Sequence, residues 1–588
     1  MARTHRVSVF LAGVGDCAYN FGEVGRAVLA ATVVLLCGVL VPAAGADNAI
    51  QRENAQAGSS AWQARAGAGI ALYGSSIGAA PGDEVDLHVS TNDRYRVDVY
   101  RLGWYGGAGG RRVACLPGCT ADEQGQAQSV PALAQGPVSL APPLRADWPI
   151  TDVLHTDPMW TSGYYLVEAV LTSGPEAGRV ATTFFILREP AREVGSRILV
   201  QVPVNTWEAY NRWGGKSLYD FYGPRAYRVS FDRPFGDMAQ TPMWWEIQLV
   251  RFLEREGYDV SYQTDLGTDR DPGSLLRHRA VLVAGHDEYW TSGIRDAFDA
   301  ALAQGTNLAF MGSNEGYWRI KYEDDGRTIF GYKSLYDPAP LPDKTAMFRE
   351  IGRPECMLMG VLHQFLVPLP NALDYSVTAA GAADPWLART GLNAGDTIAG
   401  VVGREHDVIN PYPQSCFHPG LTMLFHYDGQ GIDENADAVR FTTASGARVF
   451  ASGAQQFAWA LDDWRSDGSL FPTPPIEPWR GVPVDPRLQQ FMRNALDDLT
   501  RPAAPARFAA RQSGNQLRVA VSPSGDPRVM GFVAGVQLAG RWRRLCRGVS
   551  SCRGKLPAGS GPLKVAAVNV DRWHRHSTAS FAITTRHA

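Results

Sequence analysis

Short, continuous apolar runs separated by helical patterns dominate the middle of the chain. Four such runs occupy residues 197–202, 280–284, 306–311 and 447–451. Continuous apolar runs are typical of strands that are buried on both faces of a parallel sheet. Between the first two runs, apolar residues recur at helical spacing from Pro242 to a helix stop at Gly257. This strand–helix–strand alternation predicts a central, open, mostly parallel α/β sheet over residues 196–499.

The regions on either side show the two-residue period of β-strands. Residues 85–89 and 95–100 alternate apolar and polar side chains, which predicts a β-sandwich over residues 58–190. A Pro- and Ala-rich linker follows the central region, and further strand patterns then predict a fibronectin-III-like β-sandwich over residues 506–588. A chain of 588 residues is too long for one ordinary domain. We therefore predict a multidomain α/β plus β protein.

The N-terminus has the three parts of a secretory signal. Arg26 precedes an apolar run over residues 27–41, and Ala44-Gly45-Ala46 offers a small-residue cleavage site. Residues 1–46 are therefore predicted to be a leader. An uncleaved anchor is the alternative, but the run is too short to span a bilayer comfortably. We expect a secreted or cell-envelope protein without a membrane span after cleavage.

Export makes disulfides the expected state of the cysteines beyond the leader. These six allow 15 pairings, and an even count in an oxidising compartment favours bridges. We expect the local pairs Cys115–Cys119 and Cys546–Cys552, which leave Cys356–Cys416. Zinc binding is the alternative, but no C-x-x-C or H-x-x-x-H spacing supports it.

The overall charge bears on the class of partner. The chain carries 56 basic and 59 acidic side chains, a formal charge of −3. Nucleic-acid-binding proteins usually have a basic excess, so a nucleic-acid partner is not expected.

Polar segments follow three of the predicted central strands. In open α/β sheets, ligands bind outside the carboxyl ends of the strands. The segments at those ends are residues 205–220, 286–290 and 312–318. Their side chains are expected to meet at one edge of the sheet, where a site would be built.

Each candidate residue has a functional and a structural interpretation. His286 can act as a general acid or base, with Glu288 as a metal ligand or second carboxylate; alternatively, acidic residues here favour a helix dipole. Asn314 can donate to an oxyanion, or it can bond the backbone of its own loop. Glu405 supplies another carboxylate, or belongs to a charged loop.

Tyr210 and Tyr219 lie in the first polar segment. These rings could simply fill space under loops. Together with Glu288, however, they offer hard oxygen ligands, which suit trivalent iron. The sequence has no G-x-S-x-G elbow, P-loop or full dinucleotide fingerprint.

The sequence resembles a known family in four blocks. Residues 205–210, 215–220, 286–290 and 312–318 are similar to the large (beta) subunit of N,N-dimethylformamidase, an iron-dependent amidohydrolase. The resemblance covers roughly residues 196–499, and the tract YRLGWYGG at 100–107 recurs in secreted relatives with the same domain.

The resemblance implies a mononuclear Fe(III) centre. By position, Tyr210, Tyr219 and Glu288 match the metal ligands. The matches to the catalytic residues are His286, Asn314 and Glu405. In the family the first tyrosine block commonly reads Thr-Tyr-x-Ala-Tyr, and here Trp207 stands at the earlier aromatic. If the family's tyrosine ligand corresponds to position 207, the metal site here would lack one of its three protein ligands.

These observations predict an exported amidohydrolase that cleaves a C–N amide bond through Fe(III)-activated water. Its substrate would be a small molecule or a cell-envelope component, and dimethylformamide itself is not expected. The family enzyme has a small subunit, so a partner subunit is an open question here. The alternatives are a non-catalytic cell-envelope or glycan-binding protein, or a glycoside hydrolase using Glu288 and Glu405. Such a hydrolase needs carboxyl groups about 5–5.5 or 6.5–9.5 Å apart.

Overall fold

The computed structural model is β-rich, with 39% of the residues that it describes in strands and 21% in helices. The structure describes residues 47–131, 142–190, 196–219, 225–236, 241–333, 344–366, 372–409, 416–429, 434–465, 482–501, 505–524, 529–538, 540–557, 561–571, 576–577 and 579–586. The predicted signal at residues 1–46 lies outside these ranges. None of the helices in the described ranges is both long and apolar enough to cross a membrane.

The N-terminal part contains two sheets that share one apolar core. Its strands are β1 (Ala71–Gly74), β2 (Gly78–Ala79), β3 (Glu84–Ser90), β4 (Arg94–Leu102), β5 (Gly110–Leu116), β6 (Glu123–Gln124), β7 (Asp152–His155), β8 (Gly163–Leu171) and β9 (Val180–Leu187). A helix at Ala49–Asn54 precedes them. One sheet has the order β1-β3-β7, and the other has the order β2-β9-β8-β4-β5, with β6 beside β4. Strand β8 is buried on both faces, because Tyr165 and Val167 face the sandwich core while Tyr164 and Leu166 face the central part.

The central part is built around a mixed sheet. Its strands are β10 (Ile198–Val202), β11 (Arg228–Ser230), β12 (Val260–Thr264), β13 (Ala280–Val283), β14 (Tyr289–Thr291), β15 (Asn307–Phe310), β16 (Trp318–Glu323), β17 (Thr328–Phe330), β18 (Leu362–Leu366), β19 (Ala372–Val377), β20 (Thr397–Gly403), β21 (Glu405–Val408), β22 (Thr422–Tyr427), β23 (Ala436–Thr442) and β24 (Arg448–Ala451). In the described residues, the main sheet has nine strands in the order β12-β10-β13-β15-β24-β23-β22-β19-β20. Smaller sheets have the orders β11-β17-β16-β14 and β18-β21.

The expectation of a mostly parallel sheet is wrong for half of this sheet. The pairings from β12 to β24 are parallel, and those from β24 to β20 are antiparallel. Strand β19 ends, and strand β20 begins, with alternating exposed and buried residues, as is typical of antiparallel strands with one solvated face. The prediction relied on continuous apolar runs, and it therefore missed strands that lack them.

Helices of the central part cover the sheet and connect its parallel strands. They span Val204–Tyr210, Pro242–Trp245, Ile247–Arg255, Asp265–Arg270, Ser274–Arg277, Ser292–Ala303, Cys356–Met359, Ala379–Ala382 and Pro486–Thr500. Short 3₁₀ turns lie at Tyr105–Gly107, Trp213–Gly215, Asp324–Gly326, Phe348–Ile351, Pro385–Leu387 and Phe457–Leu461. The helix predicted from Pro242 is interrupted at Glu246, whose buried carboxylate accepts hydrogen bonds from Trp207 and Tyr164.

The C-terminal part is a seven-stranded antiparallel arrangement in the described residues. Its strands are β25 (Phe508–Ser513), β26 (Gln516–Val521), β27 (Val529–Leu538), β28 (Arg541–Gly548), β29 (Ser551–Lys555), β30 (Gly561–Asp571) and β31 (Ser580–Arg586). They form sheets with the orders β25-β26-β29 and β28-β27-β30-β31, whose inner faces share one apolar core. The three predicted disulfides are confirmed as Cys115–Cys119, Cys356–Cys416 and Cys546–Cys552.

A buried ion pair joins the N-terminal sandwich to the central part. Arg101 on β4 contacts Glu254 with an Nη2–Oε1 distance of 2.8 Å, and both side chains have 0% exposure. The hydroxyl of Tyr262 also donates to Glu254, at 3.0 Å. Both charges are thus removed from water and depend on each other.

Candidate active site

The carboxyl ends of three parallel strands meet at one edge of the main sheet. Strand β10 leads into the helix Val204–Tyr210, which ends at Tyr210. Strand β13 leads to His286 and Glu288, and β15 leads to Asn314. Because β10 pairs with β13 and β13 pairs with β15, these loops are neighbours.

Two glycines allow the second and third loops to touch. A Cβ atom added to Gly312 would lie 1.6 Å from the carbonyl oxygen of Gly285, and Gly285 itself has a φ of 64°. Only residues without a side chain fit this approach. The contact holds the loops that carry His286 and Asn314 together, and the side-chain nitrogens Nε2 and Nδ2 of these residues are 3.5 Å apart.

Three oxygen-bearing side chains form the first half of the site. The Tyr219 hydroxyl lies 2.8 and 2.7 Å from the two carboxylate oxygens of Glu288. The Tyr210 hydroxyl lies 3.0 Å from Glu288 Oε2 and 2.9 Å from the Tyr219 hydroxyl. Tyr210 and Glu288 are 4% and 3% exposed and Tyr219 is partly buried, so the oxygens converge where water has limited access.

The second half of the site is an imidazole between two carboxylates. His286 Nε2 lies 2.9 Å from Glu405 Oε2 and 3.5 Å from Glu288 Oε2. Asn314 Nδ2 donates to Glu405 Oε2 at 2.8 Å. All six side chains predicted from the sequence therefore lie in one connected cluster.

Glu405 reaches the cluster from outside the main sheet, on strand β21. Ser313 donates through its hydroxyl to the Glu405 carbonyl at 2.7 Å. Asp407, two residues further along the same strand, accepts the Asn314 backbone N–H at 2.9 Å. Asn314 has a φ of 56°, a left-handed conformation that Asn tolerates better than most residues. Strand β21 thus holds Asn314 by its side chain and by its backbone.

Sequence reasoning missed Asp407 and Lys333. The alternation of β21, which places Asp407 on the same side as Glu405, was the available signal. Lys333 Nζ lies 3.4 Å from the centre of the Tyr219 ring and 4.9 Å from that of Tyr289. It is an isolated Lys after a short strand, and nothing in the local pattern indicates a role.

Trp207 takes no part in this cluster. Its indole N–H donates to Glu246 at 2.9 Å, and its ring lies among Tyr164, Phe184 and Phe235. The helix therefore brings the hydroxyl of Tyr210 to Glu288 and directs Trp207 into the core.

Burial and neighbouring charges set the protonation of the cluster. Burial, together with the Glu288 carboxylate, raises the pKa of both Tyr210 and Tyr219 well above the usual range. Burial also raises the pKa of Glu288, against the opposing effect of His286. Burial opposes the charged form of His286, but Glu405 outweighs it and raises the pKa of the imidazole. Burial opposes the charged form of Glu405 as well, but His286, His363 and Asn314 together outweigh it and lower the pKa of this carboxyl.

The donor set fits a hard cation. The two phenolic oxygens and Glu288 Oε2 lie within 3.0 Å of one another. Without a cation the phenols stay protonated, whereas a trivalent ion favours their ionised forms. Among the described residues, no three His, Cys, Asp or Glu side chains are grouped so as to hold a metal ion. A metal at this site would therefore depend on the phenolic oxygens.

A buried cluster of acid–base groups and oxygen donors at the carboxyl edge of a sheet has the position and the residue types of an enzyme active site. The chain belongs to the family described as N,N-dimethylformamidase beta subunit-like, C-terminal, whose model matches residues 96–469. The match confirms the resemblance. It begins inside the N-terminal sandwich, about 100 residues before the expected start, and it contains the whole cluster.

Individual similarities are weaker. The N,N-dimethylformamidase beta subunit of Alcaligenes sp is 22% identical over 273 residues, which are 39% of this chain and 35% of that protein. The chain therefore matches about a third of that relative's length. The spore cortex lytic enzyme SleM of Clostridium perfringens is 22% identical, with 16% of this chain and 31% of the other covered and a TM-score of 0.13. The beta-glucuronidase of Parabacteroides merdae is 8% identical, with 88% and 65% covered and a TM-score of 0.17.

Proposed function

We propose that this chain is a metal-dependent amidohydrolase that cleaves a C–N amide bond. The observation that carries the proposal is the meeting of two phenols, two carboxylates, an imidazole and an amide in one buried cluster. These groups come from four separate segments, so their convergence is a property of the fold. Membership of the dimethylformamidase-like family supports the same reaction class.

Tyr210, Tyr219 and Glu288 are the proposed ligands of a mononuclear Fe(III). When bound there, such an ion supplies a Lewis acid that polarises a carbonyl oxygen and lowers the pKa of water. Binding would require both phenols to lose the protons that they now donate toward Glu288. Lys333, beside the Tyr219 ring, adds a positive charge that favours the ionised phenol.

His286 is the proposed proton carrier. Its Nε2 lies between Glu405 and Glu288, which favours the protonated ring. The charged imidazole can deliver this proton to the leaving nitrogen, and the neutral ring then takes up the proton that the attacking water loses. Glu405 orients the imidazole and stabilises its charged form. A pKa held above the usual histidine value suits the later step, in which the amine must be protonated.

Asn314 is the proposed contact to the substrate. One Nδ2 hydrogen goes to Glu405, which leaves the second for the oxyanion that develops on the substrate carbonyl. The Asn314 Oδ1 atom is buried and has no hydrogen-bond partner in the described part of the structure. A buried acceptor of this kind is costly unless a ligand satisfies it, and an amide N–H would do so.

The geometry disfavours the glycoside hydrolase alternative. Glu288 and Glu405 both contact the same imidazole nitrogen, at 3.5 and 2.9 Å. The imidazole therefore occupies the space in which a glycosidic oxygen would have to lie between two carboxyls.

We propose that the substrate is a small-molecule or cell-envelope amide and that the protein is exported. The three disulfides support an oxidising compartment. The Alcaligenes relative is named a beta subunit, so we also propose a small partner subunit.

Metal analysis combined with a panel of amides tests the proposal. The purified protein should contain about one iron per chain, show a visible tyrosinate-to-iron absorption band and hydrolyse at least one amide. Tyr219→Phe should lose the band and the activity together. Tyr258→Phe, a partly buried tyrosine whose charged neighbours are Glu256, Arg493 and Asp497 rather than residues of the cluster, is the matched control and should keep both. Protein prepared with ferric salt that holds no iron and shows no band would contradict the metal site.

A further inference from the structure

The C-terminal module differs sharply in charge from the rest of the chain. Residues 505–588 contain fourteen Lys and Arg against two Asp and no Glu, a formal charge of +12 in a chain whose total is −3. One of the two acids, Asp571, is 3% exposed and lies 3.8 Å from Arg279 of the central part. The remaining exposed cations therefore have almost no acidic partner within the module. Charge asymmetry of this size indicates a polyanionic partner.

The sheet β25-β26-β29 places several of these cations in one row. Arg511 pairs directly with Arg518, and Arg518 pairs directly with Arg553. All three side chains are exposed on the outer face of the sheet. Neighbouring strands are about 4.8 Å apart, so the row extends over about 10 Å. Arg507, just before β25, and Lys555, at the end of β29, are also exposed. They lie an even number of residues from Arg511 and Arg553 and therefore on the same face of the sheet. We call Arg507, Arg511, Arg518, Arg553 and Lys555 the basic face.

This arrangement is unfavourable for the free protein. Like charges directly opposite each other on paired strands destabilise a sheet, and here two such pairs share Arg518. The side chains between the cations are small or uncharged: Ala509, Ser513, Gln516, Ala520 and Ser551. The face is thus flat and open, and an extended anion could contact several guanidinium groups at once.

We propose that the basic face binds an anionic polysaccharide of the cell surface. Guanidinium groups form bidentate hydrogen bonds with carboxylate or phosphate, and a polysaccharide with repeated acidic groups presents them at regular intervals. Release of the polymer's counterions adds to the affinity and makes it depend on salt. The site is separate from the candidate active site, so this proposal holds or fails independently of the amidohydrolase proposal.

Two features favour a polysaccharide over other polyanions. The disulfide Cys546–Cys552 lies in the same module, and disulfides persist in oxidising compartments, where cell-surface glycans are abundant. The basic face has no aromatic side chain for base stacking, which single-stranded nucleic-acid sites usually provide. Its uncharged residues are too small to anchor in a bilayer.

Binding of the full-length chain to fluorescent polygalacturonate tests the proposal. Neutral dextran, a 20-base-pair duplex DNA and phosphatidylglycerol vesicles serve as comparison probes. The test variant replaces Arg511, Arg518 and Arg553 by Gln. The matched control replaces Arg544, Arg547 and Lys564 by Gln, which removes the same charge from exposed positions on the other sheet of the module.

The two variants give opposite expectations. The basic-face variant should bind polygalacturonate about tenfold more weakly or worse, with a smaller dependence on salt, whereas the control should stay within about twofold of the parent. The basic-face variant should also be at least as stable as the parent in urea, because a repulsion has been removed. Equal losses in both variants, tighter binding of DNA or vesicles, equal binding of neutral dextran, or no binding of polygalacturonate would each overturn the proposal.

Discussion

The contact between Gly312 and Gly285 offers a direct test of how the fold builds the site. In Gly312→Ala, the new Cβ would lie 1.6 Å from the Gly285 carbonyl oxygen. Non-bonded Cβ atoms rarely approach an oxygen closer than about 3 Å, so the two loops must separate by more than about 1 Å. The obstacle is backbone, which cannot rotate away as a flexible side chain can.

The structure gives the expected magnitude of this change. Overpacking of a well-packed interior typically costs about 1–3 kcal/mol, and a backbone clash lies at the upper end of that range. The displacement also moves Asn314 away from His286, now 3.5 Å apart. A misplacement of about 1 Å at reacting groups can lower the rate about 100-fold. We therefore expect lower stability and a larger loss of amide hydrolysis than the stability change explains.

Urea denaturation measures the loss of stability. The rate of amide hydrolysis is measured separately, at a temperature where the variant stays folded. Gly273→Ala is the control, because its Cβ would meet its nearest neighbour at an ordinary 3.5 Å. We expect the control to be neutral or slightly stabilising. If Gly312→Ala matched the parent in stability and activity, the argument that this contact sets the site would be refuted.

Two further predictions concern stability away from the site. Arg101→Met leaves the fully buried Glu254 without its charged partner and should lower the free energy of unfolding by about 3–5 kcal/mol. In urea denaturation, the double variant that also carries Glu254→Leu should recover most of this loss. A loss below about 1 kcal/mol in the single variant would contradict the ion-pair argument. Burial and the neighbouring Asp152 raise the pKa of Glu123 from 4.5 to about 7, so the folded state holds this proton more tightly and stability should fall as pH rises through that window. Glu123→Gln should flatten this part of the curve in urea midpoints at pH 5 and pH 7.5, and an unchanged slope would show that another group dominates.

The candidate cluster was predictable because its members obey a rule of position. Tyr210, His286 and Asn314 all follow buried parallel strands, and parallel strands present their carboxyl ends at one edge. That rule needs strand assignments, and the apolar runs at 197–202, 280–284 and 306–311 were clear enough to supply them. Glu405 was only one possible carboxylate on residue type, and its match to a catalytic residue came from the family resemblance, because β21 lies outside the main sheet.

Other features were not predictable from local pattern. The antiparallel half of the sheet has strands such as β19 that alternate in exposure, and an alternating strand does not reveal which sheet it joins. Lys333 contacts Tyr219 across more than 100 residues of sequence. Such a contact depends on the tertiary fold, which no local period encodes.

The net charge of −3 was misleading for a different reason. The value is correct for the whole chain, but it is the sum of a charge of +12 on the C-terminal module and a negative charge on the rest of the chain. A total near zero therefore says little about surfaces when a chain has several parts, and charge has to be counted for each part.

The family match covers the candidate active site but not the basic face. It covers residues 96–469 and so includes the cluster around Glu288, whereas the basic face begins beyond it, near Arg507. Asn314 forms buried hydrogen bonds with Glu405 and Asp407 of β21, so the proposed catalytic groups all lie within the matched region. Charge removal at Arg518 should therefore leave amide hydrolysis in solution unchanged while weakening capture by an immobilised acidic polysaccharide. The C-terminal module would then concentrate the protein at a charged surface, and the residues at the edge of the central sheet would carry out the proposed hydrolysis.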